Sequence, residues 1–367
     1  MKGGGFMARS WGDGSPTQQL HQLSFDLFES LAKTLPITSY RKLPVLSVPP
    51  GNLPISKHKQ QQHIPTWLSG STGPNISILG NGDDTSQVTP HEVTQKFVKA
   101  SGAHVCYGTA IGIATVPGHS DSLNPEQRRQ VAGVIYTPRA SENEEPQTLE
   151  CDTVVICAGP WSCIAEEWFP GIQLPMQGIK STSIVWKADD KVVDATALFC
   201  GEDPQFQTHL EVYPRPDNSI YICGIGGSDY VETQELKAGA FRQQQSCLAN
   251  PSRVEAAIGA FIKMSPEYKG KPLETVQACM RPCPPDALPY MGIVPGYDGV
   301  FMNAGHNCWG IAWSAGCGKA MAELILQGTC TCVNLAPFDP ARFSPKLSSS
   351  LGRRGRKKGT LNVGEQW

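Results

Sequence analysis

The run from Cys279 to Gly328 constrains this chain more than any other segment. Cys279-Met-Arg281-Pro-Cys-Pro-Pro-Asp286 reads as a strand entering a proline-restricted loop. Val300, Phe301 and Met302 then form a short apolar strand. That strand runs directly into Gly305-His306-Asn-Cys-Trp309-Gly310, a glycine turn that opens an apolar helix ending at Gly328. A helix start of this kind presents unpaired N–H groups and a partial positive charge. It suits an electron-rich ligand atom, phosphate or otherwise.

Other segments read from their periodicity and punctuation. Ser24 to Leu35 is expected to be helical, with Ser24 as its cap and Phe25, Phe28, Leu31 and Ala32 on one face. Thr89-Pro90-His91-Glu92 has the form of a capping box with proline at the first helical position, and this helix is expected to stop near Gly102. Ala103 to Ala110, Val131 to Tyr136 and Thr153 to Ala158 read as strands. From Ile179 onward longer alternating strands follow: Ser181 to Trp186, His209 to Tyr213 and Ser219 to Ile225, the last two joined by a turn at Pro216-Asp217-Asn218. Asn250-Pro251 opens a helix through about Lys263, and Thr275 to Met280 is a further strand.

Composition excludes several classes. With 31 Lys+Arg against 33 Asp+Glu the formal net charge is −2, so no bulk attraction to nucleic acid or to a membrane surface is expected. No apolar run approaches the roughly 18 residues that a membrane span needs. The 13 cysteines are scattered, several of them inside apolar strands, which suits free thiols in a reducing, cytoplasmic setting rather than a disulfide framework. Cys330-Thr-Cys332 and Cys279…Cys283 have no companion pair or histidine motif at zinc spacing, and no metal is expected.

The pattern Arg281-Pro, Asp286, Pro289-Tyr290-Met291-Gly292, Gly305-His306, Trp309-Gly310 and Gly318 resembles the D-amino-acid oxidase, glycine oxidase and sarcosine oxidase family of FAD-dependent enzymes. Cys151-Asp-Thr-Val-Val-Ile-Cys-Ala-Gly159-Pro-Trp161 is similar to that family's central strand. Gly3-Gly4-Gly5-Phe6-Met7-Ala8 is similar to its glycine-rich flavin loop. The resemblance runs from about residue 1 to Phe343. It implies a mixed α/β fold: a discontinuous FAD-binding, Rossmann-like domain over 1–178 and 271–343, and an antiparallel substrate domain over 179–270. Residues 344–367, which hold the basic cluster Arg353 to Lys358, read as a disordered tail.

Family members also carry a strand, a G-x-G-x-x-G turn and a helix that seat the FAD pyrophosphate. No such fingerprint occurs here; Gly224-Ile-Gly226-Gly227-Ser-Asp229 imitates it but reads as a strand end and turn. The expectation is therefore an incomplete cofactor domain, lacking the N-terminal dinucleotide-binding unit.

The resemblance implies FAD as cofactor and a small-molecule amine or amino acid as substrate, oxidised at a C–N bond with oxygen as acceptor. Arg281 would pair a substrate carboxylate, because the guanidinium fork grips two oxygens at once; otherwise it is an ion-pair partner of Asp286. His306 would polarise the flavin or a reacting oxygen, or merely satisfy loop carbonyls. Gly3, Gly4, Gly5, Phe6, Gly159, Gly305, Trp309 and Gly310 would approach the cofactor, and Trp309 would wall the pocket. Cys279 stands where sarcosine and pipecolate oxidases bond the flavin covalently, although Arg281-Pro282 resembles the glycine-oxidase pattern, where the bond is absent. Arg215 is a second arginine candidate or a turn residue. Tyr213 and Tyr221 face pocket or core, with Tyr221 assigned to core. A non-catalytic binding or scaffold protein remains the rival reading, and an NAD-dependent dehydrogenase is disfavoured because the dinucleotide fingerprint is missing.

Overall fold

The computed structural model describes residues 3–57, 64–118, 128–139, 145–187, 194–240 and 247–345. The basic cluster and nearly all of the expected tail, from 346 onward, lie outside the described residues.

An eight-stranded, mostly antiparallel sheet carries one side of the molecule. Its order is Asp229–Val231, Gln177–Trp186, Ile220–Cys223, Thr208–Pro214, Ala197–Asp203, Val45–Val48 and Ser77–Gly80, with Leu273–Cys283 also paired along Gln177–Trp186. Strand alternation sends successive side chains to opposite faces. Leu210 and Val212 thus join Ile184, Trp186, Leu198, Ile220 and Ile222 in a core beneath the helix Pro251–Met264, which buries Ala257, Ala260, Phe261 and Met264 there. Asn250 caps that helix by accepting from the Ser252 N–H at 3.1 Å, with Pro251 at its first position. The opposite face carries His209, Glu211 and Tyr213.

The sheet reaches beyond the 179–270 span expected for the substrate unit. Val45–Val48 adds in parallel to Ala197–Asp203, and Leu273–Cys283 pairs from Gln177↔Cys283 to Trp186↔Leu273. These partners come from distant parts of the chain, and local periodicity carries no information about such long-range pairing.

A second layer holds the parallel pair Val154–Ile156 and Val300–Ala304, with Tyr290–Ile293 antiparallel to the latter. Among the described residues, Val154–Ile156 is paired along one edge only. The helices Gln18–Thr34 and Gly310–Gln327 pack on this side through Leu20, Phe25, Phe28, Ala312, Trp313 and Ala320. Gly3 to Phe6 runs between the two layers, and Phe6–Ala8 pairs with Thr85–Gln87.

Three local expectations need correction. Ser24 is no cap: the helix begins at Gln18, and Ser24 is fully buried against Gly316, where crossing helices need small residues. Thr89 makes no side-chain cap. Instead Glu92 accepts from the Thr38 N–H and hydroxyl, both at 2.8 Å, and the Ser39 N–H at 2.9 Å, while the Thr89 N–H donates to the Ser39 hydroxyl at 2.8 Å. The box residues are used to tie two segments together. The strand expected over 103–110 is Gly108–Pro117; its ladder with Arg129–Pro138 runs from Gly108↔Pro138 to Pro117↔Arg129, with two register shifts. The helix stops at Gly102 and Gly328 stand as expected, both left-handed, at φ 63° and 76°.

Candidate functional site

A cavity of about 420 Å³ lies between the two layers. Its floor is the free face of the large sheet, and register places the side chains there. Phe199 sits beside Glu211, Glu211 beside Cys223, Tyr213 beside Tyr221, and Ser181 beside Cys279. Arg281 follows two residues after Cys279 on the same strand and therefore points to the same face. Gly3 to Phe6 and the turn from Asn307 to Ile311 complete the lining.

The turn is the start of the helix Gly310–Gln327. Neither that helix nor the short 3₁₀ turn Asn307–Trp309 before it has a side-chain cap. Asn307 takes a left-handed conformation at φ 48°, and its buried Oδ1 has no hydrogen-bond partner. The helix start thus offers N–H donors, and Asn307 beside it an amide acceptor. A flavin pyrimidine edge carries two carbonyl acceptors flanking an N–H donor, so these groups fit it. Trp309 lines the cavity and belongs to an aromatic group, with Trp313 at 6.1 Å, His21 at 4.8 Å and Trp11 at 6.3 Å between ring centroids.

The glycine loop is tight on its protein side. A Cβ on Gly4 would lie 2.6 Å from the Tyr213 ring, and one on Gly5, at φ 76°, would lie 1.8 Å from the Val88 carbonyl oxygen. Arg215 anchors this loop. Its guanidinium donates to the Gly3 carbonyl at 3.2 Å and covers the Tyr221 ring at 4.6 Å. Arg215 is thus both a turn residue, its backbone N–H bonding the Ser219 carbonyl at 2.8 Å, and a tie between loop and sheet through its guanidinium.

Arg281 lies on the cavity floor, enclosed by protein. Asp286, its alternative partner, is taken by Arg342 through two bonds of 2.8 and 2.9 Å. Burial works against the Arg281 charge, but the surrounding thiols and Glu211 hold its pKa above the usual guanidinium value. Glu211 is 7% exposed. Burial pushes its carboxyl upward, opposed by the Tyr213 hydroxyl, by Arg281 and by the Cys223 thiol. Tyr213 donates to Glu211 Oε2, and Cys223 Sγ approaches the same oxygen at 3.5 Å. Burial pushes the Cys308 thiol up to about 12.

Of the residues singled out from sequence, the structure brings Gly3, Gly4, Gly5, Phe6, Cys279, Arg281, Trp309 and Gly310 into this one lining. Gly159, Gly305 and His306 are not among the lining residues. Gly159, at φ 58°, turns the chain from Val154–Ile156 into the following 3₁₀ segment. Gly305, at φ 81°, turns it past Pro284. His306 Nε2 lies 3.0 Å from Asn303 Oδ1, and burial lowers its pKa to about 4, so the ring is neutral at physiological pH. Tyr221, assigned to core, is buried yet also lines the cavity, as does Tyr213.

Sequence reasoning missed Glu211, Asn307, Ser181, Ser183 and Cys223. The parity of Thr208–Pro214 could have found Glu211, since a carboxylate alternating with Leu210 and Val212 leaves the core face for the other one. Outside the cavity, Glu323, Cys330 and Cys332 place three potential metal-ligand atoms within 4.8 Å of one another. Glu323 already accepts from the Thr331 N–H and hydroxyl and from the Cys332 N–H, which explains its position without an ion.

Comparison with known proteins bears on the family and the fold. The family model for FAD dependent oxidoreductases matches residues 2–324. A Schizosaccharomyces pombe protein described as an oxidoreductase is 27% identical, over 92% of this chain and 86% of its own length. Glycine oxidase of Pseudomonas putida is 25% identical over 52% of this chain, but the match spans only 46% of that enzyme. Among solved structures, glycine oxidase from Geobacillus kaustophilus has a TM-score of 0.66 at 18% identity, covering 93% of this chain and 87% of that one. The L-amino acid deaminase from Proteus vulgaris reaches 0.68 at 15% identity, over 92% and 87%. At these identities the structural likeness concerns the fold. No helix among the described residues is long and apolar enough to cross a membrane.

Proposed function

The chain belongs to the family of FAD-dependent oxidoreductases that includes the glycine and D-amino-acid oxidases, and from that premise we propose that it oxidises the C–N bond of an amino acid or N-substituted amino acid. The observation that carries the reading is the place of Arg281: its guanidinium stands on the cavity floor, while the neighbouring Asp286 is held by Arg342. A half-buried arginine lining a cavity is a fixed site for a planar anion, and a carboxylate is the planar anion that its fork matches.

FAD supplies the electron acceptor when bound. The protein's share is placement. Arg281 holds the substrate carboxylate. Tyr213, Tyr221, Phe199 and Trp309 give the pocket aromatic walls that keep water from the reacting carbon. The helix start at Gly310 faces negative charge with unpaired N–H groups and so stabilises an electron-rich ring edge. Oxygen is the electron acceptor that reoxidises the cofactor in this reading.

The test is anaerobic mixing of the FAD-loaded protein with a panel of amino acids and N-methyl amino acids, followed by absorbance. Bleaching of the flavin band by one class of amino acid, with peroxide released on admitting air, is the expected result. Arg281→Met should raise the half-saturating substrate concentration by about a hundredfold, as expected for losing a buried charge-assisted pair. Absence of bleaching across the panel, with FAD bound, would overturn the amine assignment. Failure to hold FAD at all would favour the non-catalytic reading.

A further inference from the structure

Among the described residues Glu211 is the one carboxylate in the cavity lining, and the amine-oxidation reading above gives it no role. It is 7% exposed, yet among the described residues no cation lies within ion-pair distance of it. Its direct partners are neutral: the Tyr213 hydroxyl and the Cys223 thiol. A buried carboxylate without a fixed cation is expensive to keep, because desolvation penalises the charge and a thiol compensates weakly. The fold nevertheless makes room for it. Gly224, at φ 64°, stands beside it, and a Cβ there would lie 2.7 Å from both Cγ and Oε1 of Glu211. Phe199, Tyr213 and Tyr221 bring aromatic rings to the same floor, and such rings favour a cation.

Arg281 lies on the same floor, and each of the two groups acts on the other's charge. The strands that carry them are separated by Ile220–Cys223 and Gln177–Trp186. A cavity with a fixed cation at one place and a carboxylate without an ion-pair contact at another is complementary to a zwitterion.

We propose that Glu211 binds the cationic nitrogen of the substrate while Arg281 binds its carboxylate, so that the site selects zwitterionic amino acids, N-alkylated ones included, over carboxylates of the same shape without the charge. The inference rests on the reading of Arg281 as the carboxylate site. Glu211 acts in recognition: it holds the nitrogen beside the carbon to be oxidised and completes its own ion pair when substrate enters.

The test uses an isosteric pair of probes that lack an oxidisable C–H beside a free amine: trimethylglycine, which is zwitterionic, and 3,3-dimethylbutanoate, which keeps the shape and the carboxylate but not the positive charge. Equilibrium binding to the full, FAD-loaded chain is measured by calorimetry. The wild type should prefer trimethylglycine by about tenfold or more, the scale of a desolvated charge pair. In Glu211→Gln the preference should fall to about unity through weaker trimethylglycine binding alone. Unchanged affinity for 3,3-dimethylbutanoate then shows that the variant is folded. Arg281→Met should weaken both probes. Equal affinity of the wild type for the two probes overturns the Glu211 assignment and needs no variant; an unchanged preference in Glu211→Gln does the same. In both of those outcomes the Arg281 site survives. If neither probe binds, or Arg281→Met binds both as the wild type does, the carboxylate site itself is wrong and the zwitterion inference falls with it.

Discussion

His306 shows how one residue can be read correctly for place and wrongly for neighbourhood. The motif puts it in the loop before the helix Gly310–Gln327, and the structure agrees. Its ring, however, turns to Asn303 and Trp313 and is absent from the cavity lining. Enclosure lowers its pKa to about 4, from an ordinary value near 6.5. Between those two values the unfolded chain binds a proton that the folded chain refuses. Stability is therefore unaffected by this group above about pH 6.5 and falls as pH drops toward 4. His21, also lowered by burial, adds in the same sense. Thermal midpoints measured across this range should decline with acid in the wild type. In His306→Gln the decline should be shallower. Parallel slopes would mean that the ring is hydrated in solution. Side-chain direction inside a turn depends on φ values such as the 48° of Asn307, and residue spacing does not report these. Glu211 and Arg281 differ from His306 because strand parity does report direction, which made their shared face legible in principle.

At the scale of elements, start and stop signals were readable, while packing partners were not. The helix Gly310–Gln327 and its glycine stop are written in its own residues. The role of its internal glycines is not. A Cβ on Gly316 would come within 3.3 Å of the Leu20 carbonyl oxygen and of Ser24, on the helix that crosses it. Gly318, two residues on, faces solvent and has nothing within 4 Å. Adding a side chain should therefore act oppositely at the two places. Gly318→Ala should stabilise by about 0.5–1 kcal/mol through helix propensity. Gly316→Val should destabilise by about 1–3 kcal/mol, because a branched side chain overpacks the crossing. Denaturant unfolding of both variants decides the matter, and a stabilising Gly316→Val would show that the two helices are less close than they stand here. Ser24 belongs to the same lesson. It looks like a cap because serine before an apolar run usually caps, but the partner helix makes it a small residue buried at a crossing.

The molecule as a whole is two layers held together around a cavity, and one half-buried arginine accounts for much of the join at the glycine loop. Arg215 leaves the substrate sheet, covers Tyr221 and donates to the Gly3 carbonyl; Tyr213 beside it fills the space a side chain at Gly4 would need. Arg41 adds a second tie, donating to the Pro214 carbonyl and to Gln87 in the strand next to Phe6–Ala8. The glycine loop is therefore positioned by the sheet opposite it, and through it one wall of the cavity depends on the other. The family likeness made each wall legible, but this dependence joins residues far apart in sequence. Replacing Arg215 with Met keeps much of the aliphatic cover over Tyr221 and removes the charge-assisted bond, worth about 1.5–3 kcal/mol. Amide hydrogen exchange across Gly3 to Ala8 should then quicken by about ten- to a hundredfold, as local opening becomes easier by that free energy. Exchange in Pro251–Met264, packed on the far face of the same sheet, should stay as in the wild type. If both regions quicken together, Arg215 supports the sheet at large; if neither does, the loop is held by Val88 and Tyr213 alone.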